Sequence, residues 1–447
     1  MVQALSGALS MDESLSSLRN AHRGKGKRIT EESKPEFIRE HPPSAAARFL
    51  LWREERTGSW LNSPGWASAL LCWLALTLSP ASAFPADKKE RQHEADSMGL
   101  FTTATVLQLH LDLPTPAIVA LKGEPRKFVR ATVREGDGNY KEVGVHLKGV
   151  GSFRPIDEKP SFTLKFNHFT SGQRFHGLTK VMLNNSVQDP SYIDEALCTR
   201  LFREAGVPAA RVTHARVWLN DRYLGLYVLV EGLSKEFLSL NFKNRDGALY
   251  EPYLKDIDEE LKQNHGDDTS RADLKALIQA TQVADASARW ERLQKVLDVD
   301  RFVSMMAGEI LMAHWDGYWM NHNNYRIYHD TTRDKMVLIP YGLDSMFQQP
   351  AMAWQPTQQT LLVQAVLQTS EGQRRYRERI SSLARTLFTT ESLQKRVGEI
   401  AARLRPVIAQ DKPDVSKQWE KEVSGLREHI AERMKFLAGE LPPSAPR

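Results

Sequence analysis

The chain has 447 residues, of which 41% are hydrophobic and 26% are charged, and its formal net charge is +5. This is the composition of an ordinary soluble globular protein, and the length suffices for two or three folding units. Wholesale disorder, collagen, a coiled coil and a multi-span membrane protein are excluded. The small and dispersed positive charge also argues against nucleic acid as a partner.

The beginning of the chain predicts an export signal behind a polar extension. Residues 1–60 have no sustained apolar period and are predicted to be disordered. Residues 61–83 contain the apolar run WASALLCWLALTL and end in Ala81-Ser82-Ala83, the pattern of a secretory signal peptide. A buried core helix is the alternative, whereas a stable membrane span would need a longer run. We therefore expect an exported protein (periplasmic, cell-surface or extracellular) in which residues 84–103 form a linker.

Residues 104–235 predict a β-rich region. Apolar and polar residues alternate over 106–111, 129–133, 143–147 and 162–166, and this alternation predicts half-buried strands. A helix is predicted over 192–205, with Ser191 as its N-cap, and a hairpin of strands 213–219 and 223–231 follows.

Residues 236–440 predict a mostly helical region, and residues 441–447 a frayed tail. The helical period recurs over six segments: 271–282, 285–297, 300–313, 374–388, 391–408 and 414–439. A β-rich half followed by a helical half predicts the α+β fold class.

The segment 314–347 holds the clearest chemical signal. The helix over 300–313 leads into a polar loop, and strands at 325–328 and 336–341 then form a hairpin. Because hairpin strands are antiparallel, the residues before the first strand meet those after the second. Asp316 and the cluster Asn321, Asn323 and Asn324 are therefore expected beside Asp344. Two carboxylates with amide oxygens suit Mg²⁺, and a carboxylate free of the ion can take a proton from a hydroxyl.

This arrangement is the layout of a protein-kinase phosphoryl-transfer site. A loop Asp is followed by a metal-binding Asn, a hairpin and a second metal-binding Asp, and His314, Asp316 and Asn321 match the spacing H-x-D-x-x-x-x-N. The alternative is that Asp316 and the asparagines only form turns, as these residue types readily do.

A second, weaker signal is a glycine-containing loop between two predicted strands. Gly149, Gly151 and Ser152 offer backbone amides that can cover phosphates, and Lys165 on the returning strand can reach a phosphate pair. Glu195 or Glu204 on the following helix can hold that lysine, and Glu231 ends a strand where a kinase-like fold has its hinge. The alternatives are an ordinary hairpin loop, a solvated lysine and a surface glutamate.

Other reactive residue types show no site. Cys72 and Cys198 lie in dissimilar segments and are not predicted to pair, and Cys198 is expected in a helix core. The thirteen histidines lack zinc-binding spacings. A P-loop and a G-x-S-x-G nucleophile elbow are also missing from the sequence.

The chain resembles the CotH family of atypical protein kinases, first known as spore-coat proteins, over roughly residues 104–440. Five segments carry the resemblance in order: VGVHLKGVGSFRPIDEKPSFTLKF (143–166), FHGLTKVMLNNSVQDPSYIDEALCTRLFREAGVPAARVTHARVWLNDRYLGLYVLVEGLSKEFL (175–238), HWDGYWMNHNNYRIYHD (314–330), IPYGLDSMF (339–347) and LREHIAERMKFL (426–437). The resemblance implies a two-lobed kinase-like fold with a β-rich N-terminal lobe over 104–235 and a mostly helical C-terminal lobe over 236–440. It also implies binding of ATP with Mg²⁺ or Mn²⁺ and phosphorylation of Ser or Thr on a protein substrate.

The family's site residues carry over by position. Asp316 matches the catalytic loop Asp, Asn324 (with Asn323 as its rival) the Asn of the H-N-Y pattern, and Asp344 the second acid of P-W-D-x-D. Lys165 matches the lysine of the strand after the glycine-containing loop, and Glu231 the Glu of G-x-Y-x-x-x-E.

The chain also departs from the family pattern. Gly342 stands where the family often has the first acid of P-W-D-x-D, and Lys148 where many members have Arg. Three hypotheses follow: an exported Ser/Thr protein kinase, a catalytically weak kinase-fold binding or coat-assembly protein, and a metal-dependent hydrolase.

Overall fold

The computed structural model of the chain describes residues 85–356 and 359–441. The predicted disordered extension at 1–60, the signal-like segment at 61–83 and the tail beyond 441 lie outside these residues. Within them, no helix is at once long and apolar enough to cross a membrane.

The β-rich region begins with a helix and closes into a seven-stranded barrel. Its elements are α1 (Pro85–Thr102), β1 (Leu107–Asp112), α2 (Thr115–Gly123), β2 (Val129–Glu135), β3 (Gly138–Lys148), β4 (Ser161–Lys165), β5 (Lys180–Asn184), α3 (Asp194–Glu204), β6 (Val212–Leu219) and β7 (Arg222–Glu231). The strand order is β1-β2-β3-β4-β5-β7-β6, and β1 closes the barrel by parallel pairing with β6. The predicted strands all form, because their alternate apolar residues fill the barrel interior.

The register of β3, β4 and β5 fixes which polar side chains lie at which end of the barrel. Lys148 pairs with Ser161 at one end of the β3–β4 ladder, and Gly144 pairs with Lys165 at the other. On the next ladder, Lys165 stands directly opposite Lys180. Lys165 lies four positions after Ser161 on β4, so Lys148 and Lys165 are about 13 Å apart along the sheet.

The second region is mostly helical and contains a small antiparallel sheet. Its elements are α4 (Lys235–Asn241), β8 (Leu249–Glu251), β9 (Lys262–His265), α5 (Ala272–Thr281), α6 (Ala286–Val296), α7 (Val299–Leu311), α8 (Tyr318–Asn321), β10 (Tyr325–Asp330), β11 (Lys335–Pro340), α9 (Leu361–Leu367), α10 (Ser370–Thr386), α11 (Thr390–Ile408) and α12 (Pro413–Glu440). The sheet order is β11-β10-β8-β9. The six predicted helices and the β10–β11 hairpin are present, which confirms the α+β class.

The cores of the two regions do not divide at the predicted boundary. The barrel interior forms one cluster. Helix α3 precedes β6 in the chain, yet its Leu197, Leu201 and buried Cys198 belong to the core of the helical region. The helix that follows the glycine-containing loop is therefore anchored on α7 and its neighbours rather than inside the barrel.

Two local predictions were wrong. The supposed linker at 84–103 contains helix α1, whose Leu100 is buried in the barrel core. Helix α3 begins at Asp194 with Ile193 as N-cap, whereas Ser191 was predicted. Asp189 does the capping work instead, because its Oδ2 accepts from the Asp194 amide at 2.9 Å and its Oδ1 from the Ser191 amide at 3.0 Å.

Candidate active site

A cavity of about 1650 Å³ lies between the barrel and the helical region. Its wall includes the predicted site residues Gly149, Gly151, Ser152, Lys165, Asp316, Asn323, Asn324 and Asp344. They come from the β3–β4 loop, from β4, from the loop before β10 and from the segment after β11. The fold therefore brings eight residues from separate stretches of sequence to one cavity, and their functional roles stay predictions.

The β10–β11 hairpin brings the acidic residues of the helical region together as predicted from its antiparallel geometry. Tyr325 pairs with Pro340, and just beyond that pair the Tyr341 amide donates to the Asn324 carbonyl at 2.8 Å. The loop that carries Asp316 and the segment that carries Asp344 thus leave the hairpin at the same end.

Three asparagine side chains hold the Asp316 carboxylate. Asn321 Nδ2 donates to Asp316 Oδ1 at 3.1 Å, and Asn323 Nδ2 donates to Oδ2 at 3.1 Å. Asn324 Nδ2 donates to Oδ2 at 2.9 Å and to the Asp316 carbonyl at 3.0 Å. Since each carboxylate oxygen can accept two hydrogen bonds, Oδ1 keeps one acceptor position for a hydroxyl.

Gly342 and Asn324 fit together closely. Gly342 has φ +60°, and a Cβ at this position would lie 2.3 Å from Asn324 Oδ1. The amide oxygen of Asn324 therefore occupies the space that a side chain at 342 would need. An amide oxygen thus faces the place where the resemblance led us to expect an acidic side chain.

A buried glutamate and a buried histidine pack beneath the loop that carries Asp316. Glu309 is 1% exposed and accepts the Tyr318 amide at 3.3 Å, while its Oε1 lies 3.4 Å from Nδ1 of the fully buried His314. A Cβ on Gly317 would lie 2.6 Å from Glu309 Oε1, so this turn requires glycine. His314 of the H-x-D motif therefore positions the loop and does not face the cavity.

Asp344 lies near several other carboxylates. Burial raises its pKa, the neighbouring Asp316 raises it further, and Lys148 opposes the shift. Burial also raises the pKa of Glu195 to about 7 and that of Asp189 to about 6, with the Asp344 charge acting in the same direction. A cation bound beside Asp344 would relieve this repulsion.

Lys148 is a cation near these carboxylates, and the sequence analysis assigned it no role there. Its Nζ donates to Asn184 Oδ1, and Asn184 Nδ2 donates to Glu195 Oε2 at 2.6 Å. A lysine of the barrel is thus linked through an asparagine to a glutamate of α3. The available signal was that Lys148 follows buried Leu147 on a strand, so that its side chain must point out of the barrel.

The glycine-containing loop is held in a fixed shape. Gly149 has φ +94°, and a Cβ there would lie 2.7 Å from Ser152 Oγ, whereas Gly151 has open space around it. Asn185, which is 2% exposed, donates from Nδ2 to the Ser152 carbonyl at 3.0 Å and to the Lys159 carbonyl at 2.8 Å. Asn185 therefore clamps both ends of the loop.

Lys165 lines the cavity but lies far from the glycine-containing loop. The β3–β4 register puts it about 13 Å from Lys148, at the opposite end of the ladder. Neither Glu195 nor Glu204 holds it: Glu195 accepts from Asn184, and Glu204 forms its ion pairs with Arg200 and Arg396. Lys148, and not Lys165, is therefore the lysine positioned to bind a phosphate beside that loop. The position of Lys165 in the cavity wall is not explained by the glycine-containing loop.

Glu231 is not part of the cavity wall, and its predicted nucleotide-binding role does not fit the geometry. It is fully buried, and both of its carboxylate oxygens accept from Arg211, at 2.6 Å from Nη2 and 3.0 Å from Nε. Arg211 also donates to Ser97 Oγ of α1 at 3.1 Å. Glu231 instead holds helix α1 against the end of the barrel through Arg211.

The acidic end of the cavity, around Asp316 and Asp344, offers oxygen donors of the type that a divalent ion prefers. Among residues 85–356 and 359–441, no group of three or more His, Cys, Asp or Glu side chains is arranged to hold a metal. Mg²⁺ commonly takes one or two protein oxygens and completes its shell with phosphate oxygens and water. The Asp344 carboxylate, with its raised pKa, and the Asn324 Oδ1 near Gly342 are donors of this kind.

Comparison with known proteins gives a family and several relatives. The model of the family described as CotH kinase protein matches residues 145–437. The inner spore coat protein H of Bacillus subtilis is 21% identical over 328 residues, which cover 68% of this chain and 89% of that protein. The invasin CotH3 of Rhizopus delemar is 24% identical over 279 residues, which cover 53% of this chain and 46% of the invasin.

Two solved structures resemble the chain at low similarity. The proinflammatory kinase CtkA of Helicobacter pylori has a TM-score of 0.26 and 11% identity, over 62% of this chain and 92% of that one. HipA of Shewanella oneidensis, from a toxin–antitoxin complex with HipB and operator DNA, has a TM-score of 0.28 and 11% identity, over 75% and 73% of the two chains. TM-scores this low do not establish a common fold.

Proposed function

The chain belongs to the CotH kinase protein family, and from this premise we propose that it is an exported Ser/Thr protein kinase that uses ATP with Mg²⁺ or Mn²⁺. The kinase-like two-lobed arrangement belongs to the same proposal, with the barrel as the N-terminal lobe. The observation that carries the proposal is the Asp316 carboxylate, held by three asparagine amides in the cavity that also contains Asp344 and the glycine-containing loop.

The proposed step is an in-line transfer of the terminal phosphoryl group. The hydroxyl oxygen of the acceptor forms a bond to the γ-phosphorus, and the bond from that phosphorus to the β–γ bridging oxygen breaks, so that ADP leaves. The hydroxyl proton goes to Asp316, whose Oδ1 keeps a free acceptor position. Lys148 and the amides of the glycine-containing loop bind phosphate oxygens, and Asn185 fixes the loop.

Asp344 and the Asn324 oxygen would hold the divalent ion. When bound, the ion neutralises phosphate charge. The raised pKa of Asp344 supports a cation at this place, because burial and Asp316 both disfavour the isolated carboxylate.

The test is transfer of labelled phosphate by the full chain from ATP, with Mg²⁺ or Mn²⁺, to itself and to casein-like acceptors. The wild type is expected to transfer label, and Asp316→Asn and Asp344→Ala are expected to lose at least a hundredfold. Asp221→Asn, in the exposed β6–β7 turn, serves as the matched control. Label released only as inorganic phosphate would replace the kinase by the metal-dependent hydrolase.

A second candidate function has one specific observation in its favour. At Gly342 the chain lacks an acid that the family often has, and Asn324 Oδ1 fills the space. A catalytically weak kinase-fold protein that binds a partner, as in coat assembly, would accommodate this loss. Thermal stabilisation by ATP and metal without any transfer of label would favour it.

A further inference from the structure

The two ends of the cavity carry opposite charge. At one end the wall includes the carboxylates of Asp316, Asp344 and Glu195, with Lys148 near them and Arg126 at the glycine-containing loop. At the other end, the wall includes Lys165, Lys180, Arg174 and Arg326 with the carboxylates Glu236 and Glu251, and helix α1 contributes Glu90 and Glu94. A metal-bound phosphate suits the acidic end, whereas the other end, the basic end, is rich in cations.

Glu236 and Glu251 at the basic end are already committed to arginines. Glu236 pairs with Arg174 and accepts from Thr179 Oγ1 at 2.8 Å. Glu251 accepts from Arg326 Nη2 at 2.5 Å. Within the described residues, neither Lys165 nor Lys180 forms an ion pair. On β4 and β5, Lys165 and Lys180 are therefore cavity-wall cations without an ion-pair partner among the described residues.

These lysines stand where their repulsion is greatest. Lys165 on β4 is directly opposite Lys180 on β5, and both side chains leave the barrel on the cavity side, since Leu164 and Val181 point into the core. Like charges directly opposite one another on neighbouring strands are destabilising. An anion placed between the two ammonium groups turns this repulsion into attraction.

The fold also directs Lys180 along the cavity wall. Its Cε lies 2.6 Å from where a Cβ on Gly232 would be, so glycine at 232 lets the side chain pass the backbone that links β7 to α4. Burial lowers the pKa of Lys180, and Arg326 and Lys165 lower it further, whereas Glu251 and Glu236 raise it; a bound anion would act in the same direction as these two carboxylates.

We propose that Lys165 and Lys180 form a second anion subsite, about 13 Å along the sheet from Lys148, that binds a phosphate group carrying no divalent ion. The phosphate belongs either to the nucleotide itself or to a separate ligand. This subsite uses none of the residues placed at the acidic end, so it can be tested separately from the proposed transfer reaction.

The test is calorimetric titration of the full chain with inorganic tripolyphosphate in EDTA. The wild type is expected to bind, with an affinity that falls as salt is added. Lys165→Gln/Lys180→Gln is expected to bind at least tenfold more weakly, whereas Lys255→Gln/Lys262→Gln, which removes two other lysines of the cavity wall, changes affinity less than threefold. Equal affinity of wild type and the Lys165/Lys180 double variant, or an equal loss in the control pair, overturns the proposal.

Further variants control for misfolding, and a competition experiment identifies the source of the phosphate. Lys180→Arg keeps the charge and should bind within about threefold of wild type if charge is what matters. Asp316→Asn should lose phosphate transfer and keep tripolyphosphate binding, so failure of the kinase proposal is distinguishable from failure of this one. Repeating the titration with a saturating non-hydrolysable ATP analogue and Mg²⁺ shows the source: displacement means the nucleotide's own phosphates, and retained binding means a separate ligand.

Discussion

Replacing Gly342 by alanine tests whether the Asn324 amide occupies the space that a side chain at position 342 would need. At φ +60° a non-glycine residue costs about 1–2 kcal/mol. The new Cβ would also lie 2.3 Å from Asn324 Oδ1 and 2.8 Å from its Cγ, so the amide must move. Moving it breaks the bonds to Asp316 at 2.9 and 3.0 Å, which contribute roughly 1.5–3 kcal/mol because one acceptor is charged.

Gly342→Ala should therefore lower the free energy of unfolding by roughly 2.5–5 kcal/mol, measured by urea denaturation. Gly151→Ala is the matched control, since that glycine has open space around it and should change the free energy of unfolding by less than about 0.5 kcal/mol. In an Asn324→Gly background the clash disappears, and Gly342→Ala should cost only the backbone part, about 1–2 kcal/mol. An equal cost in both backgrounds, or a cost no larger than that of Gly151→Ala, would refute the reasoning.

Three further substitutions give separate readouts. Lys148→Met should weaken binding of Mg²⁺–ATP about tenfold in a nucleotide titration, because it removes the cation nearest the acidic end. Glu195→Gln should raise the free energy of unfolding by up to about 3 kcal/mol above pH 7 and have no effect below pH 4.5. The reason is that burial raises the Glu195 pKa in the folded chain to about 7, so stability is lost as pH rises through that value. His214 has the opposite sign: burial, then Arg403, lowers its pKa to about 3, so the free energy of unfolding should fall by up to about 1.4 kcal/mol per pH unit as pH drops from 6.5 towards 3, and acid titration of the wild type against His214→Gln checks this.

Local patterns predicted the elements well wherever one face is apolar. The alternating strands of the barrel and the six amphipathic helices form as expected, because burying an apolar face decides their structure. Helix α1 was taken for a linker, because it is polar along most of its length and buries little besides Ser97 and Leu100. Strand β5 was missed, since its five residues are too short to show a period.

The part of the candidate site that lies on one hairpin was predictable from the sequence. The antiparallel hairpin is enough to bring Asp316, Asn324 and Asp344 together from a stretch of about thirty residues. The contact of Lys148 with Asn184 depends on β5, a strand that no local pattern predicted and that lies beside β4 in the barrel. Glu231 meets Arg211 across the β6–β7 hairpin, which was predicted, but the pattern did not show that this pair is buried.

The two ends of the cavity differ in what a relative movement of the two regions would change. Lys148, Lys165 and Lys180 all belong to the barrel, so their spacing is fixed by the strand register. Asp344 belongs to the helical region, and Glu195 lies on α3, which packs in the same core. Closure of the cavity would therefore alter the distance from Lys148 to the carboxylates and leave the Lys165–Lys180 pair intact.

The two ends are separated by more than 10 Å and share no hydrogen-bond partner among the described residues. Lys148→Met and Lys165→Gln/Lys180→Gln should therefore have additive effects on the binding free energy of metal-free tripolyphosphate, within about 0.5 kcal/mol. A larger coupling energy in that cycle would mean that one ligand spans both ends.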